Sequence, residues 1–325
     1  MKMFSVFLLI APFLIVQSIP LPSDSNSKHV QEFEKFVTKF GRNYQDETEV
    51  LKRFTIFSKN LDLIEKYNIE DAEKQITYAV NDFADLTDEE YRQHFLKKSS
   101  AHPKKPAIIP TNTNELPSSI DWRNVNGSSH VTNVKYQGKC GSCWAFAVAQ
   151  SIESAKSIAG GSLESLSSQE LLDCTPGSDK CGGGEPEDAM QYVVDHGGIN
   201  SAKSYPYLFF STKCKSDKPL VAKISTYLLG STEDHIASMV GSKGPVVVCA
   251  NFATNKNRFY HGGIAEDPDC GTEPTHALII VGYTPEYWIL KNTYSVVWGE
   301  AGYMRVRRGV NWCGLTTENS ILPVL

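Results

Sequence analysis

The chain has 325 residues, room for about two compact units with a core each. Its 41% hydrophobic and 21% charged residues exclude a disordered chain, a coiled coil and a collagen-like repeat, and a net charge of -5 gives no footing for nucleic acid as a partner. All eight Cys and all five Trp fall after residue 121, so the chain reads as two chemically different proteins in series.

Residues 1–18 carry Lys2, an apolar run from Phe4 to Val16, and small residues Val16 and Ser18 at the spacing of a cleavage site. This predicts a signal peptide. The run is shorter than the roughly 20 residues of a membrane span and contains Pro12. No later segment is apolar for long enough either, so the expected product is soluble, secreted or delivered to a lysosome-like compartment where disulfides persist.

Residues 19–115 lack Cys, and charge there is nearly twice as dense as in the remainder. Phe33, Phe36, Val37 and Phe40, then Leu51, Phe54, Phe57, Leu61 and Ile64, recur at helical spacing and predict two amphipathic helices. Residues 77–83 alternate like a short strand. Thr87 followed by Glu90 predicts a helix start with a capping box. Residues 101–115, rich in Pro, Lys, Thr and Asn, predict an extended, cleavable linker. Composition alone describes a small helical domain. The spacing of Glu49, Arg53, Phe57, Asn60, Ile64 and Asn68, however, resembles the inhibitory propeptide of cathepsin L-like proteases at all six positions. Ala79, Asn81, Phe83 and Asp85 resemble a second propeptide signature, with Ala79 in place of its Gly. The resemblance implies a prosegment that lies along an active-site cleft in the reverse direction to substrate and is removed on activation.

The densest signal follows, in Gln137-Gly-Lys-Cys140-Gly-Ser-Cys143-Trp144. A thiol is a poor nucleophile until it becomes a thiolate, and a helix start favours the thiolate through free N–H groups and a partial positive charge. Residues 144–155 are helix-favouring and free of Pro and Gly, which puts Cys143 at a helix N-terminus. A redox pair would need a βαβ context and a zinc site a second close pair, and neither is present in the sequence. Five His follow residue 121 (130, 196, 235, 261 and 276). His276 opens a β-branched and aliphatic run ending in Gly282, which predicts a buried strand holding the ring rigidly. Asn292 follows a second apolar run and can accept from one imidazole nitrogen while the other faces the sulfur.

These segments resemble the papain-like cysteine proteases. Cys143 sits in the family's C-G-S-C-W pattern. His276, Ala277, Val281, Gly282 and Tyr283 match its histidine segment, and Lys291, Asn292, Trp298, Gly299, Gly302 and Tyr303 its asparagine segment. The resemblance implies Cys143 as nucleophile, His276 as base, Asn292 as orienting group and Gln137 as side-chain donor of the oxyanion hole, with the Cys143 N–H as its partner. Departures lie in the orienting shell: Tyr294 stands for the usual Trp, Ser295 for Gly, and Thr275 for Asn or Asp.

The resemblance further implies disulfides Cys140–Cys181, Cys174–Cys214 and Cys270–Cys313, leaving Cys249 unpaired in a strand that lines the S2 pocket. Gly183 and Gly184 match a loop whose second Gly pairs with the backbone of the substrate's P2 residue, a place where a side chain would obstruct. Glu185 then falls at the S2 rim, next to Pro186. Glu318 falls either at the S2 floor or on the surface as plain charge. Pro274, Thr275 and Trp298 complete the expected substrate-binding set. An acid at the floor implies that S2 takes Arg or Lys as well as apolar residues. Asn126 opens an Asn-Gly-Ser glycosylation motif.

The expected architecture is α+β, a papain-like two-lobe fold with a helical lobe and a β-barrel-like lobe, preceded by a helical propeptide. Its expected divisions are a signal peptide (1–18), an inhibitory propeptide (19–115) and a mature peptidase domain (116–325). The expected activity is that of a cysteine endopeptidase made as a zymogen, with no metal or organic cofactor. The competing expectation is a papain-fold protein impaired in catalysis that holds peptides or partners without cutting them. Expected partners are protein or peptide substrates, the chain's own propeptide and cystatin-like inhibitors, for a monomer without nucleic acid or membrane.

Overall fold

A computed structural model describes residues 27–97, 105, 116–215 and 219–325. The expected signal peptide and nearly all of the expected linker lie outside the described residues.

The chain opens on α1 (Ser27–Lys39) and α2 (Glu47–Glu70), the latter capped by the Asp46 carboxylate, which accepts from Glu49 N. The helical spacing of apolar residues becomes a buried seam. Phe33 and Phe36 of α1 meet Phe54 and Phe57 of α2 at ring separations of 5.4, 5.3 and 5.0 Å, with Leu61 and Ile64 buried below. Leu51 instead faces solvent. β1 (Thr77–Tyr78) is shorter than the alternation over 77–83 suggests. After one more backbone bond, from Ala79 N to Phe259 O at 3.0 Å, side chains take over from strand pairing: the Asn81 carboxamide donates to Arg258 O and accepts from Phe83 N. α3 (Asp88–Phe95) starts on Thr87 with the capping box closed reciprocally by Glu90.

After β2 (Ile120–Asp121) comes α4 (Cys143–Ile158), whose first twelve residues are all buried. Its apolar residues spread around the helix, as befits an interior position, and its buried polar side chains are hydrogen-bonded, Ser151 to Pro245 O and Glu153 to Leu166 N. α5 (Ser168–Cys174) and α6 (Pro186–His196) pack beside it, α6 opening with Pro at its first position and closing on Gly197 in the left-handed conformation. β3 (Ile199–Asn200) and β4 (Leu220–Ala222) form a small ladder. Next are β5 (Thr226–Gly230), α7 (Glu233–Ser242), β6 (Val246–Ala250), α8 (Asn255–Phe259), β7 (Tyr260–Gly262), β8 (Ile264–Ala265), β9 (His276–Tyr283), β10 (Tyr287–Lys291), β11 (Tyr303–Arg307) and β12 (Ser320–Val324).

The main sheet runs β5-β12-β6-β9-β10-β11-β8, with β2 added on β9. Every residue of β6 and β9 is buried, which is why both read as unbroken apolar runs rather than alternating ones. Gly282 is required where β2 crosses β9: a Cβ there would lie 2.3 Å from Ile120 O. β1 pairs antiparallel with β7, so the N-terminal segment adds a strand to the C-terminal part. Disulfides Cys140–Cys181, Cys174–Cys214 and Cys270–Cys313 close loops with sequence separations of 41, 40 and 43. On the loop-entropy model each is worth roughly 4 kcal/mol. Cys143 and Cys249 are free and buried. Among the described residues no helix is long and apolar enough to cross a membrane.

Candidate active site

Three elements converge on Cys143. α4 begins with it, so its sulfur sits at the N-terminus of a helix, where the leading amides lack i−4 partners. The backbone N–H groups of Trp144 and of Ala277, the second residue of β9, both point at the thiol. Burial pushes that thiol up to about 11 despite these donors and the nearby Lys97 charge.

His276 starts β9 and is fully buried. Its Nε2 lies 2.8 Å from Asn292 Oδ1, which also accepts from Thr293 N at 2.7 Å. An oxygen that already accepts from a backbone amide is an acceptor for the imidazole too, so Nε2 carries the proton and Nδ1 holds the lone pair. Burial lowers the imidazole to about 4; the Asn292 bond opposes that shift and the Lys97 charge adds to it. The rings of Phe252 and Tyr294 enclose it at 4.9 and 4.8 Å. Thiol and imidazole are thus both held in their neutral forms.

Gln137 is fixed on one side by Thr293, whose hydroxyl donates to Gln137 Oε1 at 2.5 Å. On the other side its Nε2 donates to Cys140 O at 2.8 Å and to Phe95 O at 3.0 Å. Phe95 ends α3, so a carbonyl of the N-terminal segment occupies the donor that was read as part of an oxyanion hole. The next residues continue through the same cleft. A Cβ on Gly141 would meet Leu96 O and Cys181 O, each at 2.7 Å, so glycine at 141 is what lets the passing backbone lie that close. Lys97 N then donates to Thr275 O at 2.8 Å.

The side chain of Lys97 is completely buried. Its ammonium lies 3.2 and 3.1 Å from the two Glu185 oxygens and 3.3 and 3.2 Å from those of Glu318. Cys249 of β6 adjoins this cluster, its thiol against the Glu318 carboxylate and near the ammonium, and burial raises that thiol. The two acids, read from sequence as rim and floor of one pocket, therefore share one cation, and Glu318 is not plain surface charge. Gly183 has φ +136, and a Cβ on Gly184 would lie 2.6 Å from the Trp144 ring, so the fold itself also requires glycine there. Pro186 is the first residue of α6 and Pro274 is buried just before Thr275. Trp298 is buried and donates from Nε1 to Arg258 O at 3.1 Å. Asn126 is exposed in a turn at φ +52.

The propeptide-type motifs hold this arrangement. Arg53 donates to Asp85 O and pairs with Glu90 at 2.7 Å. Asn60 donates to Ala84 O and Leu86 O, and Asn68 exchanges two bonds with the Tyr78 backbone. One face of α2 thereby grips the strand and turn that carry Phe83, Tyr91 and Phe95 onto Tyr294. Sequence reading missed Lys97, Tyr91 and Arg258. Buried Arg258 binds Asp88 at 2.9 Å, Phe83 O at 2.7 Å and Leu86 O at 2.5 Å, tying α8 to the N-terminal segment. No local signal marks Lys97, because both of its carboxylate partners are distant in the chain.

Residues 116–322 match the family model described as papain family cysteine protease, and residues 33–91 match the cathepsin propeptide inhibitor domain. Mouse cathepsin S is 36% identical over 292 residues, 85% of each chain. The recombinant stem bromelain precursor superposes with a TM-score of 0.83 at 33% identity, covering 92% of this chain and 99% of that one. Digestive procathepsin L2 from the larval midgut of Tenebrio molitor gives 0.83 at 35% identity, covering 91% and 100%.

Proposed function

The chain belongs to the papain family of cysteine proteases and is made as a proenzyme with a cathepsin-type inhibitory propeptide, and from that premise we propose that it is a secreted or lysosomal endopeptidase working by a Cys143-His276-Asn292 mechanism. Once the prosegment leaves, His276 Nδ1 takes the Cys143 proton and the thiolate attacks the scissile carbonyl carbon. Gln137 Nε2 and the Cys143 N–H receive the oxyanion. His276 then returns the proton to the leaving amine, and water hydrolyses the thioester with His276 again as base. Asn292 keeps Nε2 occupied throughout, so Nδ1 remains the working nitrogen. The observation that carries this reading is the Phe95 carbonyl on Gln137, a peptide carbonyl bound by the donor a substrate carbonyl would need.

The S2 pocket is assigned to Glu185, Glu318 and Cys249, with Gly183, Gly184, Pro186, Pro274, Thr275 and Trp298 around the cleft, and it accepts Arg or Lys at P2 beside apolar residues. Support comes from Lys97, a basic side chain of the prosegment already seated between both carboxylates. The mature enzyme begins near residue 116, carries a glycan at Asn126, acts as a monomer and offers its open cleft to cystatin-like inhibitors. Acid incubation followed by an epoxide or vinyl-sulfone probe tests the reading: it requires processing near residue 115 and a label on Cys143. A folded, processed chain without label would instead be a peptide-binding relative that does not cut.

A further inference from the structure

The position that usually carries an indole carries a phenol here, and its hydroxyl reaches the working nitrogen. Tyr294 is fully buried, and its hydroxyl lies 3.5 Å from His276 Nδ1, at the outer limit of hydrogen-bond distance and with no other side chain between them. The polarity follows from the imidazole. Because Asn292 Oδ1 holds the proton on Nε2, Nδ1 offers only a lone pair, so Tyr294 donates and Nδ1 accepts. The Tyr294 oxygen is then free to accept, and the Tyr91 hydroxyl of α3 stands 3.1 Å from it. A chain of two hydroxyls thus runs from the prosegment to the catalytic imidazole.

We infer that Tyr294 is a positioning residue for the Cys143–His276 pair: its hydroxyl caps Nδ1 and favours the neutral imidazole over the imidazolium–thiolate form. The inference rests on the Cys-His-Asn reading. A donor aimed at the lone pair stabilises the unprotonated ring and competes with the Cys143 proton for the same nitrogen. An indole presents no oxygen there. In the proenzyme the Tyr91 hydroxyl stands 3.1 Å from the Tyr294 oxygen, where donation from Tyr91 leaves the Tyr294 proton for Nδ1. After processing the Tyr294 hydroxyl alone remains, and the brake weakens without vanishing. Of the other charged or titratable groups, Lys97 from the prosegment acts on the imidazole, with Glu185 and Glu318 behind it, and Cys143 of α4 adjoins through the backbone amide of Ala277, the next residue of β9. Lys97 leaves with the prosegment, and the rest are common to every variant compared below. Phe252 contributes only apolar surface.

The test uses processed wild-type enzyme beside Tyr294→Phe, which keeps the ring and removes the oxygen, and Tyr294→Trp, which restores the usual indole. The rate of Cys143 alkylation by iodoacetamide is followed against pH, with kcat and KM for one peptide substrate. In both variants the acid limb that reports the ion pair should move down by about half a pH unit, roughly threefold more thiolate on that limb, while KM changes less than twofold. A Tyr294→Phe profile superimposable on the wild type overturns the inference alone. Absence of Cys143 alkylation in the wild type at every pH overturns the Cys-His-Asn reading and the inference with it.

Discussion

Lys97 and Glu318 stand 221 residues apart in sequence and 3.2 Å apart in space, with the ammonium entirely hidden from solvent. Glu185 approaches the same ammonium to 3.1 Å from the other side. Burial alone would favour neutral lysine, yet the acids around it hold its pKa above the ordinary lysine value. The prosegment therefore blocks the cleft with a charge as well as with backbone. Removing the cation leaves two carboxylates facing each other in a closed pocket, which costs about 3 kcal/mol for a buried pair broken on one side. Lys97→Met should accordingly speed self-processing of the proenzyme at a fixed pH by roughly a hundredfold. Adding Glu318→Gln should recover part of the loss, and a double variant no slower than Lys97→Met would show that the carboxylate does not feel the cation.

On the proposed S2 assignment, the same two acids should set the substrate preference of the mature enzyme. Glu318→Gln removes one charge from the pocket without changing its size, so kcat/KM for a peptide with Arg at P2 should fall by about 2 kcal/mol, near thirtyfold. The matching Leu peptide should change less than threefold. Equal losses for both peptides would mean that Glu318 holds the fold of the pocket instead of reading the substrate.

What was legible in the sequence was local in spacing or fixed by a dense motif. Phe33 to Ile64 lie on helices whose faces meet because a period of 3.6 residues admits few other arrangements, and Thr87 with Glu90 closes its capping box within four residues. Cys143 at the head of α4 and His276 at the head of β9 follow from apolar runs and the residues that bound them. Lys97 was not legible, because its meaning depends on partners 88 and 221 residues away. The strand at 77–83 was overextended for a similar reason: its partner is the three-residue β7, and no hairpin continues the pairing. Tyr294 was visible as a departure, but only geometry reveals that its oxygen meets Nδ1.

Asn60 illustrates how a propeptide motif residue acts at a distance from the cleft. Its buried amide supplies two donors, at 2.8 Å to Ala84 O and 3.0 Å to Leu86 O, and so fixes the turn that delivers α3 to the active site. Asn60→Ala leaves both carbonyls short of a donor and should destabilise that turn by about 2 kcal/mol. Amide hydrogen exchange over residues 84–91 of the proenzyme should quicken by roughly thirtyfold while α4 keeps its protection. Uniform quickening throughout the chain would assign Asn60 to global stability.

Acid should open the proenzyme through His276, and the sign can be derived. With the prosegment in place the imidazole is lowered to about 4 from an ordinary 6.5, chiefly by burial. Between those values the closed form leaves His276 unprotonated while an opened form takes up a proton, so the closed form is fully favoured above about 6.5 and loses that advantage as pH falls toward about 4. The whole shift corresponds to up to about 3 kcal/mol. A proenzyme carrying Cys143→Ser, unable to process itself by thiol chemistry, isolates the opening step, which pepsin cleavage of the released prosegment reports. Between pH 6 and 4.5, approximately one proton's worth of the pH slope should belong to this ring. Replacing it by His276→Gln, which can still donate to Asn292 but does not titrate, should lower the slope of log opening against pH by up to about one while leaving the contributions of other groups in place. An unchanged slope in that variant would exclude the imidazole as the acid sensor and leave the acids around Lys97 as the groups to vary next.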